Sequence, residues 1–276
     1  MKVHRTIDSF QDDASHMGKP LALVPTMGSL HAGHISIIEK AVAENASSVV
    51  SIFVNPSQFG RNEDYASYPR DIETDLAKLE KLKVDLVFAP TAEEMYPPGF
   101  ATWVDVGHIS QRLEGKSRPG HFKGVSTVVS KLLAIVRPNR AYFGLKDIQQ
   151  LEVVKRLNAD LNLGAEIIVC PTVREPDGLA LSSRNKYLTP DERKSASVLY
   201  QSLLAANCLK TNNVDEIRNH ILEVLSSEPL AKIDYISVSN PDTLEELTVV
   251  TGKALVSVAV CFGATRLIDN LIITQD

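Results

Sequence analysis

Short apolar runs alternate with helical stretches along the first two thirds of this chain, and this alternation constrains the fold more than any other feature. The β-rich runs, most of which stop at a glycine or a proline, cover residues 21–26, 47–54, 84–89, 140–143 and 165–170. Stretches with helical periodicity lie between them, at about residues 33–44, 71–82, 125–136 and 146–161. Strands that alternate with helices predict a parallel sheet with helices on both faces.

The pattern changes in the last third of the chain. Thr189 is a predicted N-cap, because Pro190 follows at the first helical position and Glu192 completes a capping box. From there the sequence predicts two helices and then two or three strands, at about residues 190–208, 213–226, 232–239, 254–262 and 267–273. We therefore expect an α/β protein: a Rossmann-like doubly wound parallel sheet in residues 1–174 and a smaller α+β domain in residues 175–276.

Charge and composition argue against several classes of protein. The net charge is −5, so a broad nucleic-acid surface, which needs a basic face, is not expected. No run reaches the ~18 apolar residues of a membrane span, and the first residues lack an apolar signal region. The three cysteines are widely spaced and form no CxxC motif, which is typical of reduced thiols in a cytoplasmic protein.

The sequence Pro25-Thr-Met-Gly-Ser-Leu-His-Ala-Gly-His34 follows the first β-rich run, at the strand end where such sheets bind ligands. Gly28 and Gly33 allow a tight turn and a close approach of a ligand, and the next helix offers N–H groups that suit a polyphosphate. His31 and His34 lie three residues apart, so both imidazoles can donate to phosphate oxygens. A zinc pair or two surface histidines are the alternatives, although no third metal ligand stands at a suitable spacing.

Further polar residues follow the later strands. Asn55 and Gln58 supply uncharged amides that suit the hydroxyl and carboxylate groups of a small acid. Arg118, beside two glycines, could form a second anion site. Lys146 could place its charge on a phosphate, and Gln150 lies one turn later on the same face. The alternative for Asn55 and Gln58 is an ordinary turn. For Arg118 it is a solvated basic loop, and for Lys146 and Gln150 it is a plain helix start.

The segment Leu181-Ser-Ser-Arg-Asn185 is the last of these motifs. Its two hydroxyls and its guanidinium group could bind a phosphate from several sides. The alternative is a polar linker between the two expected domains.

Taken in this order, the motifs resemble those of the pantothenate synthetase family, which belongs to the HxGH nucleotidyltransferase superfamily. The resemblance extends from about residue 24 to residue 270. It implies catalytic roles for His31, His34, Lys146 and Arg184. It implies pantoate contacts for Asn55, Gln58, Arg118 and Gln150. It implies a nucleotide site formed by Met27, Gly28, Ser29, Leu30, His31, Ala32, Gly33, His34, Gly144, Leu145, Lys146, Asp147, Val173, Leu181, Ser182, Ser183 and Arg184.

The resemblance also implies an activity. The family joins pantoate to β-alanine in two half-reactions, with ATP cleaved to AMP and pyrophosphate and with Mg²⁺ on the triphosphate. It suggests a homodimer and a Ser-Ser-Arg lid in the second domain. The sequence does not identify the ligands of the metal ion. Leu145 and Leu181 depart from the family pattern, which has a polar residue and a methionine there. A different HxGH nucleotidyltransferase, or a binding protein on a degenerate adenylating fold, remains an alternative.

Overall fold

The computed structural model of this chain describes residues 1–61 and 63–275. It divides into two compact units: the first unit comprises residues 1–145 and 150–171, and the second unit comprises residues 146–149 and 172–276. The domain boundary expected between residues 174 and 175 stays a prediction. None of the helices in the described ranges is long and apolar enough to span a bilayer.

The first unit is built on six parallel strands. Its strands are β1 (Lys2–His4), β2 (Leu21–Thr26), β3 (Ser47–Ile52), β4 (Leu86–Phe88), β5 (Arg140–Gly144) and β6 (Glu166–Cys170). Its helices are α1 (Ile7–Ala14), α2 (Ala32–Glu44), α3 (Ile72–Lys81), α4 (Ala92–Met95), α5 (Leu113–Ser117), α6 (His121–Val136) and α7 (Ile148–Asp160), the last of which begins in the segment grouped with the second unit. The doubly wound sheet expected from the sequence is confirmed.

The strand order in this sheet is β1-β4-β3-β2-β5-β6. The order reverses beside β2, because β3 pairs with one of its edges and β5 with the other. A reversal of this kind opens a crevice at the carboxyl ends of the strands, where open α/β sheets bind ligands. The residues that follow β2 therefore lie at the point of the sheet best suited to a ligand.

Both faces of the sheet are covered. Leu21, Ala22 and Leu23 are 0 % exposed and Val24 is 2 % exposed, although consecutive residues of a strand point to opposite faces. Such continuous burial is typical of a parallel strand between two helical layers. On one face the core joins Ala22 and Val24 to Ile38 of α2.

The second unit pairs helices with a small antiparallel sheet. Its elements are α8 (Pro190–Ser195), α9 (Val198–Cys208), α10 (Val214–Ser226), β7 (Ala231–Ser239), β8 (Gly252–Phe262) and β9 (Thr265–Gln275). The strands are ordered β7-β8-β9, and alternate residues of β8 from Ala254 to Phe262 enter one core with the helices. The smaller α+β region expected from the sequence is confirmed.

Two helices differ from the sequence-based expectation. The stretch 190–208 is interrupted after Ser195, where the hydroxyl of Ser197 donates to the Lys194 carbonyl and competes with the helical bonding pattern. Helix α6 begins at His121 rather than at Val125, because Gly120, with φ of +85°, turns the chain into the helix one turn earlier.

Candidate functional site

The turn after β2, which we call the histidine turn (residues 26–34), has an unusual backbone. Gly28 has φ of +79° and Ser29 has φ of +50°, so two consecutive residues adopt left-handed conformations. The Thr26 hydroxyl supports this shape, because it donates to the Ser51 carbonyl at 2.8 Å and accepts the Gly28 amide at 3.1 Å. A non-glycine residue in this region is strained, so other contacts must hold Ser29 there.

Those contacts come from Asp75 on α3. Its carboxylate accepts the Ser29 amide at 2.7 Å and the Leu30 amide at 2.8 Å, and the residue is 2 % exposed. Sequence reasoning did not assign Asp75 to the site. A signal was present, because Asp75 interrupts the apolar stripe of α3 that includes Ile72 and Leu79.

The two histidines are held by the start of α2. His31 is the N-cap, and its Nδ1 accepts the Gly33 amide at 3.1 Å. His34 Nδ1 accepts the His31 amide at 3.4 Å, and the two ring centroids lie 4.0 Å apart. A ring nitrogen that accepts a hydrogen bond carries no proton, so each neutral imidazole has its proton on Nε2. Both rings are thus set as hydrogen-bond donors, which suits a phosphate.

The amides after β3 are buried beside this turn. Asn55 is 1 % exposed, and its Nδ2 donates to Gln58 Oε1 at 3.0 Å and to the Gly124 carbonyl at 3.2 Å. Its Oδ1 accepts the Tyr96 hydroxyl at 2.8 Å. Gln58 is 8 % exposed, and its Nε2 lies 3.1 Å from the sulfur of Met27. Protein groups therefore engage the Asn55 side chain from both ends and orient Gln58 toward the histidine turn.

Arg118 belongs to a half-buried network that leads back to Gln58. Its guanidinium donates to both carboxylate oxygens of Glu63, at 2.8 Å and 2.6 Å. Arg118 Nη1 lies 3.1 Å from His121 Nε2, and His121 Nδ1 donates to the Gln58 carbonyl at 2.8 Å. Arg118, predicted as a substrate contact, is thus engaged by a carboxylate of the protein itself. The guanidinium has five N–H donors, so a substrate carboxylate would share it with Glu63 or take the place of Glu63.

Burial and charge shift two pKa values in this network. Burial, followed by the Arg118 guanidinium, lowers the pKa of His121 from 6.5 to about 4. Burial acts to raise the pKa of Glu63, but the hydrogen bonds and charge of Arg118 outweigh it and hold that pKa below its ordinary value. At neutral pH the network therefore contains a neutral imidazole and an ion pair.

The residues predicted after β5 divide between the two units. Gly144 ends β5 in the first unit, and Leu145 follows it. In the second unit, Lys146 Nζ lies 3.5 Å from Asp147 Oδ1, and the Lys146 carbonyl accepts from Asn270 Nδ2 at 2.8 Å. Gln150, in the first turn of α7, belongs to the first unit.

The predicted Ser-Ser-Arg segment forms a 3-10 helix in the second unit. We call residues 182–187 the serine–arginine turn. Ser182 Oγ accepts the Arg184 amide at 3.3 Å, and Asn185 Nδ2 donates to the Ala180 carbonyl at 3.1 Å. The preceding strand-like residues pair, because the Leu181 amide donates to the Val173 carbonyl at 3.0 Å. These bonds are local, and the turn also packs against β9.

A buried ion pair that sequence reasoning missed supports this region. Arg174 donates to both oxygens of Asp269, at 2.6 Å and 2.9 Å, and its guanidinium lies 3.7 Å from the centre of the Tyr200 ring. Asp269 is 3 % exposed. The two charges are 95 positions apart in the chain, so no local pattern indicates their contact.

The structure brings part of the predicted site together. Within the first unit, the histidine turn contacts Gln58 through Met27, and Gln58 connects to Arg118 through His121. Asn55, Gly144, Leu145 and Gln150 also belong to the first unit. Seven predicted residues belong to the second unit; these are Lys146, Asp147, Val173, Leu181, Ser182, Ser183 and Arg184. Over residues 1–61 and 63–275, no group of three or more His, Cys, Asp or Glu side chains is arranged to hold a metal ion.

Comparisons with known proteins agree with this picture. The family model described as pantoate-beta-alanine ligase matches residues 2–272. Pantothenate synthetase of Roseiflexus sp. (strain RS-1) is 54 % identical over 276 residues, which is 99 % of each chain. These matches confirm the family resemblance seen in the motifs.

Solved structures give the same result. The crystal structure of pantothenate synthetase from Thermus thermophilus has a TM-score of 0.94 at 48 % identity, over 98 % of this chain and 99 % of that one. A pantoate-beta-alanine ligase from Francisella tularensis, complexed with beta-gamma ATP and beta-alanine, has a TM-score of 0.83 at 40 % identity, over 99 % and 97 %. The chain therefore belongs to the pantoate–β-alanine ligase family of enzymes.

Proposed function

We propose that this protein condenses pantoate with β-alanine to form pantothenate, and that it cleaves ATP to AMP and pyrophosphate in doing so. The observation that carries the proposal is the histidine turn. Two imidazoles, each with its proton on Nε2, lie at the start of α2 beside the strand-order reversal, and the buried amide of Gln58 contacts the same turn. This arrangement suits a nucleotide phosphate next to a small hydroxy acid.

The first half-reaction activates the acid. A carboxylate oxygen of pantoate bonds to the α-phosphorus of ATP, the bond from that phosphorus to the bridging oxygen breaks, and pyrophosphate leaves. We propose that His31 and His34 donate to the phosphate oxygens as charge develops on them, with Lys146 and Arg184 supplying positive charge. Fixed donors aimed at developing charge are the largest contributors in reactions of this kind.

The second half-reaction forms the amide. The amine of β-alanine attacks the acyl carbon of pantoyl adenylate, the bond from that carbon to the bridging oxygen breaks, and AMP leaves with this oxygen. The enzyme needs no covalent intermediate, so its contribution is to position the reactants and to exclude water. We assign pantoate binding to Gln58, Gln150, Asn55 and Arg118.

We assign nucleotide binding to three segments, namely residues 27–34, 144–147 and 181–184, together with Val173. Mg²⁺ enters as the counter-ion of the ATP phosphates, where it neutralises their charge; a cation of this kind retains waters and does not need a cage of carboxylates. We further propose that the enzyme acts in the cytoplasm as a homodimer, with residues 1–174 and 175–276 as its domains.

Heavy-oxygen labelling tests the proposed route. Pantoate labelled in its carboxylate, incubated with ATP, Mg²⁺ and β-alanine, should give AMP that carries one labelled oxygen when the nucleotide is analysed by mass spectrometry. Without β-alanine, pyrophosphate release should stop near one turnover while the label stays in bound pantoyl adenylate. ADP with labelled phosphate would show attack at the γ-phosphorus, and unlabelled AMP would show another adenylating reaction; either result would contradict the proposal.

A further inference from the structure

We propose that Asp75 is a positioning residue that clamps the histidine turn in its reactive shape and acts on the reaction through the imidazole of His34. This role deepens the proposed function and rests on it. Asp75 itself touches the backbone of the turn, and the reacting phosphates would meet the imidazoles.

The clamp consists of two charge-assisted hydrogen bonds. The two oxygens of the Asp75 carboxylate accept the amides of two consecutive residues, Ser29 at 2.7 Å and Leu30 at 2.8 Å. Hydrogen bonds to an ionised acceptor are about twice as strong as neutral ones, and at 2 % exposure water competes poorly for them. These bonds hold Ser29 in a left-handed conformation that its side chain disfavours.

Gly28 and Lys78 fit the same clamp. A Cβ atom added at Gly28 would lie 3.0 Å from Asp75 Oδ2 and 3.1 Å from Ile52 Cγ2, so any other residue would push the carboxylate away by a few tenths of an ångström. Lys78, one turn after Asp75 on α3, donates to the Leu30 carbonyl at 2.7 Å. Helix α3 thus holds the turn with an anion on its amides and a cation on its carbonyl.

This arrangement limits how the turn can bind a phosphate. The Ser29 and Leu30 amides point to Asp75, so they are directed to the protein and not to a ligand. The His31 and Gly33 amides are in turn bonded to the rings of His34 and His31, so phosphate binding must depend mainly on the imidazoles. The clamp ends immediately before His31, whose amide is bonded to His34 Nδ1, so a shift of Leu30 would move both rings. A misplacement of about 1 Å in such a group reduces a rate by about 10²-fold.

Asp75→Asn is the variant that tests the clamp. Asparagine keeps the volume and one acceptor oxygen, but it places an NH₂ group against the second amide. We expect the single-turnover rate of adenylation to fall by about 10²-fold, while the Kd for ATP changes by less than about threefold. The matched control is Asp85→Asn. Asp85 also accepts a strand amide and a hydroxyl of Ser48, at 2.8 Å and 3.1 Å, but at the amino end of the sheet, so its loss should leave the rate within about twofold.

A double variant separates positioning from simple loss of stability. If Asp75 acts through His34, Asp75→Asn in a His34→Ala background should slow adenylation by clearly less than about 10²-fold, because only the effect on His31 remains. Multiplicative losses would show that Asp75 acts independently of His34 and would overturn the proposal.

Amide exchange measured by NMR tests the clamp without any activity. The Ser29 and Leu30 amides should be protected in the wild-type protein and should exchange at least about tenfold faster in Asp75→Asn, with the β2 amides unchanged. Equal protection in both proteins would overturn the clamp. A wild-type protein that shows this protection but forms no adenylate would refute the proposed function and leave the clamp standing.

If Asp75→Asn does not fold, Lys78→Met replaces it, because it removes the donor to the Leu30 carbonyl and the cation 3.8 Å from Asp75 Oδ1 while both amides bonded to the carboxylate keep their acceptor. We expect adenylation to slow by about three- to tenfold with little change in the ATP Kd. An unchanged rate, or a loss confined to ATP binding, would contradict the role of α3 in holding the turn.

Discussion

The histidine turn and the serine–arginine turn are both proposed to meet the phosphates of ATP, yet they are held in different ways. The histidine turn is bonded to residues far along the chain: Asp75 lies 46 positions from Ser29, and Ser51 lies 25 positions from Thr26. Two of the hydrogen bonds in the serine–arginine turn are local: one spans two positions, from Ser182 to Arg184, and the other spans five positions, from Ala180 to Asn185.

This difference matches two different tasks. A group that must stabilise developing charge works best when it is fixed before the reaction begins. A segment that closes over a substrate must also open to release product, so it is drawn from the less stable parts of a fold. We infer that the histidine turn is the fixed part of the site and that the serine–arginine turn is the adaptable part.

Loss of the His34 imidazole should give the largest effect. His34→Ala removes a donor that the turn holds in place, so we expect kcat for adenylation to fall by about 10²–10³-fold, with a much smaller change in the Kd for ATP. Single-turnover kinetics measures the rate, and His16→Ala, an exposed residue just after α1, is the control. A rate within a few-fold of the wild type would remove His34 from its proposed role and would weaken the contrast between the turns.

Much of the fold could be predicted from the sequence, because strands and helices leave periodic patterns. The elements that the sequence did not predict are those whose formation depends on contacts with remote parts of the chain. Strand β1 has only three residues, and its place beside β4 depends on pairing that no local pattern encodes. The first turn of α6 contains Gly124, which breaks a helical pattern. A Cβ atom at that position would lie 2.3 Å from the Ser57 carbonyl oxygen, so packing and not helix propensity requires the glycine.

The site residues also fall into those that the sequence predicts and those that it does not. Motifs that are continuous in sequence, such as the histidine turn, could be recognised and given a chemical role. The groups that hold them could not, because they come from remote positions. Arg118 shows this clearly: the sequence offers a cation for an anionic substrate, but its partner Glu63 lies 55 positions away, so their ion pair appears only in the folded chain.

The half-buried network behind Gln58 should make stability depend on pH. The pKa of His121 falls from 6.5 in the unfolded chain to about 4 in the fold, so the unfolded state binds more protons between these values. Stability should therefore fall as the pH is lowered from about 6.5 toward 4, by roughly 2–3 kcal/mol for this group. The lowered pKa of Glu63 adds stability above its ordinary pKa, which is lost only at more acidic pH.

Urea unfolding of the wild type and of His121→Asn between pH 4 and 7 measures this effect. Asparagine keeps a donor for the Gln58 carbonyl but has no titrating group, so its curve should be flatter over that range. Parallel curves would mean that His121 contributes nothing to the pH dependence of the free energy of unfolding. Titrating groups would then matter no more for the stability of the first unit than for that of the region around the serine–arginine turn.

The smallest effect on global stability is expected beside the serine–arginine turn. Asp177 accepts from Arg193 at 2.6 Å, and hydrogen bonding to that guanidinium lowers the pKa of Asp177. The two side chains are 40 % and 32 % exposed, so solvent screens the pair. Asp177→Asn keeps an acceptor for the Leu179 amide but removes the charge, and the free energy of unfolding should drop by about 0.2–1 kcal/mol.

Hydrogen exchange in Asp177→Asn tests whether the serine–arginine turn is less firmly held than the histidine turn. In Asp177→Asn, amides of residues 177–185 should exchange about two- to fivefold faster, whereas those of residues 28–31 should be unaffected, because Asp75 still holds them.

In the wild type, ATP with Mg²⁺ should slow exchange in residues 177–185 much more than in residues 28–31, since only a segment that opens has protection to gain. If both segments gain equal protection, or if neither does, the serine–arginine turn is as fixed as the histidine turn. Closure would then have to be sought in another part of the molecule.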